Sequence, residues 1–295
     1  MPCFRPIPAW KVGEDGPVVF WAKEGGLRFN VACGQCVGCR LRRARHWATR
    51  CVHESQLHPA NCFLTLTYRD PCPISLCYRD FQLFMKRLRK FAGTRVRFFA
   101  CGEYGEVTFR PHFHACLFGF DFLDKRYYKR SDSGESLFVS SKLDALWTHG
   151  QCLIGAVTFQ SASYVARYVM KKVTGPQATV YYQVLDRSTG ELLPVEPEFV
   201  HMSLKPGIGA GWLEKFGSDV YPSGDVVVNG KRSQAPRYYD LWFDRKDPEA
   251  LQEVKDRRFR RIVGHAEFLK ERRPARLGVS EVVASARVSL FKREV

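Results

Sequence analysis

Apolar and polar positions along this chain follow two rhythms, short runs suited to strands and longer stretches with helical spacing. The run Asn61-Cys-Phe-Leu-Thr-Leu-Thr-Tyr68 is rich in β-branched and aromatic residues, and Arg69-Asp70-Pro71 closes it, which predicts a strand. Tyr78 to Phe91 predicts an amphipathic helix. Phe81, Phe84, Met85, Leu88 and Phe91 share its apolar face, with Lys86, Arg87, Arg89 and Lys90 largely outside. Two strands follow, at 95–102 and 112–119, joined by a turn containing Gly105; Pro111 opens the second and Gly119 begins its exit. Residues 121–139 are polar and charged and read as an exposed insertion. Ser141 to Trp147 reads as a short helix, and Gly150 to Gln160 supplies a fourth strand through Cys152–Phe159. Ser161 or Ser163 can then cap a helix running to about Val173, ended by Gly175-Pro176.

The order through residue 173 is β-α-β-β-α-β-α, which predicts an α+β domain: a ferredoxin-like antiparallel sheet with helices against one face. Before it, residues 1–32 are irregular or short-stranded, with Val18–Trp21 and Leu27–Phe29 as the extended pieces, and a basic helix runs from Arg40 to about Leu57. After it, residues 180–240 hold short strands and many turns, and 244–274 form a charged, helical stretch. The pattern divides the chain into 1–60, a cysteine-rich and basic segment; 61–175, the core; and 176–295, an accessory region for DNA or a partner.

Composition narrows the class. With 45% hydrophobic and 14% aromatic residues among 295, a packed core is expected. No apolar run approaches the roughly 20 residues that span a bilayer, and Met1-Pro2-Cys3-Phe4-Arg5-Pro6 lacks the apolar core of a secretory signal. A soluble intracellular protein without a membrane partner is therefore expected. Lys and Arg number 46 against 30 Asp and Glu, a formal net charge of +16. An excess of that size points to a polyanion, with nucleic acid ahead of an acidic membrane surface. Arg40, Arg42, Arg43, Arg45 and Arg50 crowd one helix and suit phosphate contacts.

Three groups of residues bear chemistry. His112-Phe113-His114 places two imidazoles on one strand face, since residues i and i+2 point the same way. An adjacent antiparallel strand brings Glu103 alongside them. The pair is open between a shared metal ion and two half-buried histidines. Tyr164 and Tyr168 lie one helical turn apart, with Arg167, Lys171 and Lys172 close by. They read either as nucleophiles or as rings packed on the sheet. A tyrosine hydroxyl, with an ordinary pKa near 10, is a poor nucleophile unless cations or a metal stabilise the developing charge. Cys33, Cys36 and Cys39, spaced C-x-x-C-x-x-C among glycines, suit a structural zinc or stand as free thiols; Cys3, Cys51 and His53 are candidate fourth ligands. Cys62, Cys101, Cys116 and Cys152 lie in apolar runs and read as buried small hydrophobes.

Together these features resemble the His-hydrophobic-His (HUH) rolling-circle replication endonucleases, in particular the initiators of the microvirus, gokushovirus-like single-stranded DNA phages. Three blocks carry the resemblance in family order: Phe63-Leu-Thr-Leu-Thr-Tyr68, Arg110-Pro-His-Phe-His-Ala-Cys-Leu-Phe118 and Tyr164-Val-Ala-Arg-Tyr168-Val-Met-Lys-Lys172. It implies an RRM-like HUH core and a metal site of His112, His114 and Glu103 holding Mg²⁺ or Mn²⁺. It also implies Tyr164 and Tyr168 as alternating nucleophiles aided by Lys171 or Lys172, with Arg110 and Arg167 as further DNA contacts. The implied function is nicking of single-stranded origin DNA through a 5′-phosphotyrosine, then rejoining to release circular genomes. The implied setting is the cytoplasm of a bacterial host, with host polymerase, single-strand-binding protein and helicase. No G-x-x-x-x-G-K-[ST] loop is present to power unwinding; Gly230-Lys231-Arg232-Ser233 lacks the glycine five positions earlier. The competing readings are a zinc-stabilised, non-catalytic nucleic-acid-binding protein, a relaxase or transposase with the same chemistry, and a two-histidine, one-carboxylate iron oxygenase.

Overall fold

The computed structural model describes residues 3–13, 16–105, 108–131, 134–168, 172–173, 175–186, 189–263 and 273–290. The elements run β1 (Ile7–Lys11), β2 (Val18–Val19), β3 (Leu27–Val31), α1 (Val37–Ser55), β4 (Asn61–Thr67), α2 (Tyr78–Ala92), β5 (Arg97–Tyr104) and β6 (Pro111–Phe118). Next come β7 (Arg126–Arg130), β8 (Ser136–Val139), α3 (Ser141–Leu146), β9 (Cys152–Gly155), α4 (Phe159–Tyr168), α5 (Ala178–Tyr181), β10 (Gln183–Leu185) and β11 (Leu192–Pro194). The chain ends with β12 (Phe199–Met202), α6 (Ala210–Val220), β13 (Asp225–Val228), β14 (Lys231–Gln234), α7 (Arg237–Asp244), α8 (Pro248–Val263) and α9 (Pro274–Ser289). The chain forms two compact units, Met1–Arg43 with Asp244–Arg293, and Ala44–Phe243.

The larger unit is built on a seven-stranded sheet of order β12-β5-β6-β4-β9-β8-β7, antiparallel at every pairing. Its centre, β5-β6-β4-β9, is the split β-α-β order of a ferredoxin-like sheet, with β6 inserted between β4 and β5. The expected α+β antiparallel core is thus present. The sheet and its cover differ from the expectation in two ways. The insertion at 121–139 contains the hairpin β7-β8, which continues the sheet through Phe138 opposite Ile154. Its surrounding charges obscured the short run Leu137-Phe138-Val139. Helices also cover both faces rather than one. Phe81, Phe84, Met85 and Leu88 of α2 pack on Leu64, Leu66, Phe113 and Leu117. Ala44, Ala48 and Cys51 of α1 and Ala162, Val165 and Ala166 of α4 pack on Phe99, Cys101, Cys116 and Phe118. With both faces covered, every residue of β5 and β6 is buried. Phe91, expected on the apolar face of α2, is instead half exposed at its end, edge-on to Phe120.

The cap of α4 lies earlier than expected. Thr158 Oγ1 accepts from the Ser161 N–H at 3.1 Å and Ser161 Oγ accepts from the Thr158 N–H at 2.8 Å, a reciprocal capping box that starts the helix at Phe159.

Buried polar groups tie the segment after β12 to the core. Glu54, 2% exposed, receives the Arg97 guanidinium on Oε1 and the Gly209 N–H on Oε2 at 2.6 Å. Gly209 has φ +78°, and a Cβ there would come within 2.6 Å of the Tyr239 hydroxyl, so only glycine fits. His53 stacks on Trp212 with ring centroids 3.6 Å apart, and its Nδ1 lies 2.9 Å from the Tyr239 hydroxyl.

Glu54→Ala leaves Arg97 charged and buried without its partner, and is expected to cost about 3–5 kcal/mol in denaturant unfolding. Burial holds His53 down at about 4. A folded pKa below the ordinary 6.5 means the unfolded chain takes up the proton first, so stability falls as pH drops from about 6.5 to about 4. The loss is about 3 kcal/mol across that window, and His53→Gln should flatten this part of the pH–stability curve.

Candidate metal centre and the tyrosine helix

Strand register builds the site. Glu103 on β5 pairs with His112 on β6, and Cys101 pairs with His114. Thr67 and Thr65 of β4 pair with the same two histidines from the other side. Period-two alternation sends His112 and His114 to the face covered by α4, while Phe113 enters the α2 layer against Phe81 and Trp147. Glu103 Oε1 lies 2.7 Å from His112 Nε2 and 3.0 Å from His114 Nε2, and all three residues are buried.

The outer ring nitrogens are held as well. His112 Nδ1 lies 3.1 Å from the Arg110 carbonyl, which can only accept, so Nδ1 carries a proton and Nε2 is the atom turned toward the site. His114 Nδ1 lies 3.1 Å from Thr65 Oγ1, and Phe63 stacks on the same ring at 5.6 Å. Burial alone would raise the Glu103 pKa; the hydrogen bonds to His112 and His114 outweigh it and hold the carboxyl below its ordinary range. One carboxylate oxygen and two imidazole nitrogens, all within 4.8 Å of one another, form a group that can hold a metal ion. A buried carboxylate with two imidazole nitrogens converging on it suits a cation.

Tyr164 reaches this group from α4. Its hydroxyl lies 3.4 Å from Glu103 Oε1, and its ring stands edge-on to His114 at 4.9 Å. Tyr168 ends the same helix one turn on; its side chain lies outside the described residues. Lys171 lies outside them too, and Lys172 is exposed beyond the helix. Arg167 is half-buried on the last turn. Arg110 is engaged within the chain: Nη1 bonds Asp70 at 2.7 Å and Nη2 donates to the Tyr68 carbonyl at 2.8 Å.

In the smaller unit, the Sγ atoms of Cys3, Cys33, Cys36 and Cys39 also lie within 4.8 Å of one another, a second group able to hold a metal. Of the three candidate partners for the C-x-x-C-x-x-C run, Cys3 is the one present. Cys51 is buried against the sheet instead, and His53 is stacked on Trp212. Arg42 approaches Cys39 Sγ at 3.9 Å and Arg43 donates to the Gly34 carbonyl at 3.3 Å. Arg45 is exposed and Arg40 partly so. Cys62, Cys101, Cys116 and Cys152 are buried as expected.

Sequence reasoning missed Thr65 and the Arg110 carbonyl, the partners that fix the two rings. Thr65 was legible in one respect. In Phe63-Leu-Thr-Leu-Thr, period two puts Phe63, Thr65 and Thr67 on one face, two of them small hydroxyl side chains in an otherwise apolar strand.

The family model described as Replication-associated protein ORF2/G2P matches residues 61–173, a span holding all three sequence blocks. Replication-associated protein VP4 of Bdellovibrio phage phiMH2K is 35% identical over 269 residues, 86% of this chain and 80% of that relative. The chain belongs to this family of phage replication-associated proteins. Replication-associated protein ORF2 of Spiroplasma virus 4 is 28% identical over 288 residues, covering 88% of this chain and 86% of its own. Replication-associated protein ORF4 of Chlamydia phage 1 is 30% identical over 222 residues, 72% of this chain but 53% of that relative. No solved structure matches. The resemblance drawn from three short blocks is borne out at the level of the family, along most of the chain.

His114→Ala is expected to abolish binding of one Mn²⁺ in calorimetry. Thr65→Val keeps the ligands but releases the ring, and should weaken Mn²⁺ binding about 10–100-fold with the fold intact by circular dichroism.

Proposed function

We propose that this protein is a rolling-circle replication initiator that nicks single-stranded origin DNA by tyrosine transesterification. The observation that carries the reading is the Tyr164 hydroxyl, 3.4 Å from the carboxylate oxygen shared by both histidines. Tyr164 and the Glu103–His112–His114 group thus lie on the same side of the sheet. Glu103, His112 and His114 would hold the divalent ion, Mg²⁺ or Mn²⁺, with two imidazoles favouring manganese. Such an ion supplies Lewis-acid polarisation of a phosphate oxygen.

The chain's own residues do the rest. The hydroxyl of Tyr164 or Tyr168 attacks phosphorus, the bond to the 3′ oxygen breaks, and the products are a 5′-phosphotyrosine and a free 3′-OH. The leaving 3′ oxygen needs a proton and the tyrosine must lose one; Lys171 and Lys172, three and four positions after Tyr168 in the sequence, would assist or balance phosphate charge. The phosphodiester energy stays in the tyrosine link, so attack by a 3′-OH, or by the second tyrosine one turn away, can rejoin or transfer the strand without nucleotide hydrolysis. Arg40, Arg42, Arg43, Arg45 and Arg167 would grip flanking phosphates; Arg50, expected among them, is instead buried and donates to the Ile208 carbonyl at 2.9 Å. Arg110, tied to Asp70 and the Tyr68 carbonyl, would act by holding the end of β4 beside His112. The free 3′-OH would prime the host polymerase in the bacterial cytoplasm, with host helicase and single-strand-binding protein opening and coating the strands. No helix among the described residues is long and apolar enough to cross a membrane.

The test uses an origin oligonucleotide with Mn²⁺. Trypsin cuts after Arg167 and so parts the two tyrosines, and mass spectrometry should find a nucleotide on one of the two peptides. Tyr164→Phe combined with Tyr168→Phe should form no covalent adduct. An adduct that persists in the double variant, or cleavage of the oligonucleotide with no protein link, would overturn the reading.

A further inference from the structure

We propose that Cys3, Cys33, Cys36 and Cys39 bind one structural zinc ion, and that this ion holds the two ends of the chain, Met1–Arg43 and Asp244–Arg293, together as one unit. The inference does not depend on the nuclease reading, because all four residues lie outside the unit that holds the histidines and tyrosines.

Four sulfurs bound tetrahedrally at about 2.3 Å from zinc stand about 3.8 Å from one another. Cys3 Sγ lies 3.6 Å from Cys33 Sγ and 3.8 Å from Cys36 Sγ. A disulfide would need about 2.05 Å, and all four cysteines are free. Hydrogen-bond donors point at the sulfurs. The N–H groups of Phe4, Cys33 and Cys36 each donate to a cluster sulfur at 3.3 Å, and the Arg42 guanidinium stands 3.9 Å from Cys39 Sγ. Four protein ligands leave no open position, the mark of a structural site rather than a catalytic one.

The unit also has little core of its own. Apart from cysteines, its buried apolar side chains larger than alanine are, among the described residues, Phe4, Val19, Leu251, Val254 and Leu277. So small a core does not hold a segment of this length together without a metal or another cross-link. Charge makes matters worse: Met1–Arg43 and Asp244–Arg293 carry 21 lysines and arginines against 11 acidic residues, so the two pieces repel. The thiol cluster is where they meet. Leu277 and Ala284 of α9 pack with Phe4 and the cysteines, and Arg5 bonds Glu281 of the same helix at 2.7 Å.

The test is elemental analysis of the full-length protein purified under reducing conditions without chelator. About one zinc per chain is expected in the wild type and in His112→Ala/His114→Ala, and near zero in Cys33→Ser/Cys36→Ser. Cobalt(II) in place of zinc should give sulfur-to-cobalt charge-transfer absorption that only the cysteine variant loses. Amide exchange should then rise in residues 3–43 and 274–289 of the cysteine variant, with 61–155 unchanged. Zinc lost with the histidines, iron in place of zinc, no metal at all, or exchange unaltered by the cysteine substitutions would each overturn the proposal.

Discussion

The pairing of β5 with β6 is the constraint on which the rest depends. It sets Glu103 opposite His112 and Cys101 opposite His114, and through them places one carboxylate oxygen within hydrogen-bond reach of two imidazoles. A slip of one residue would turn Phe113 into the site and both histidines into the α2 layer. That register is protected by burial on both faces: Phe113 and Leu117 need the α2 side, and Cys116 and Phe118 need the α1 and α4 side. The same packing brings Tyr164 to the carboxylate, because Val165 and Ala166 next to it in α4 are anchored in the sheet's apolar layer. Packing and chemistry are set by one alternation.

The site is buried, polar and held from outside, which is the arrangement a cation needs. Each histidine spends its outer nitrogen on a fixed partner, the Arg110 carbonyl or the Thr65 hydroxyl, and so presents Nε2 inward. The segment beyond residue 175 contributes to the same body. β12 pairs along β5 from Gly102 to Phe99, and the Gly209 turn closes on Glu54 and Arg97. Glu54 therefore joins α1, the start of β5 and the turn before α6 through a single carboxylate.

Much of this was legible in the sequence, for physical reasons that also explain the gaps. Strand and helix periods in 61–168 are strong because each element buries one or two apolar faces, so the antiparallel α+β core, the histidine pair and the Glu103 neighbour could be read directly. Cys3 as fourth thiol was one of three candidates, since nothing local marks a partner 30 residues away. β12 could not be read, because Phe199-Val-His-Met202 earns its place only by pairing with β5. The hairpin β7-β8 was hidden by solvent-facing charge, whereas the helix layer on the second sheet face had a signal that was passed over: the unbroken apolar runs Phe98–Cys101 and Ala115–Phe118 mark strands buried on both faces. Thr65 and the Arg110 carbonyl act through tertiary contacts, one of them a backbone group that no side-chain motif can announce.

The most direct measurement is an anomalous difference map from crystals of the protein soaked in Mn²⁺. One strong peak is expected, bounded by Glu103, His112 and His114, on the side of the sheet that Tyr164 faces. Manganese bound elsewhere with that group empty, or the three side chains turned away from one another with no ion between them, would contradict it.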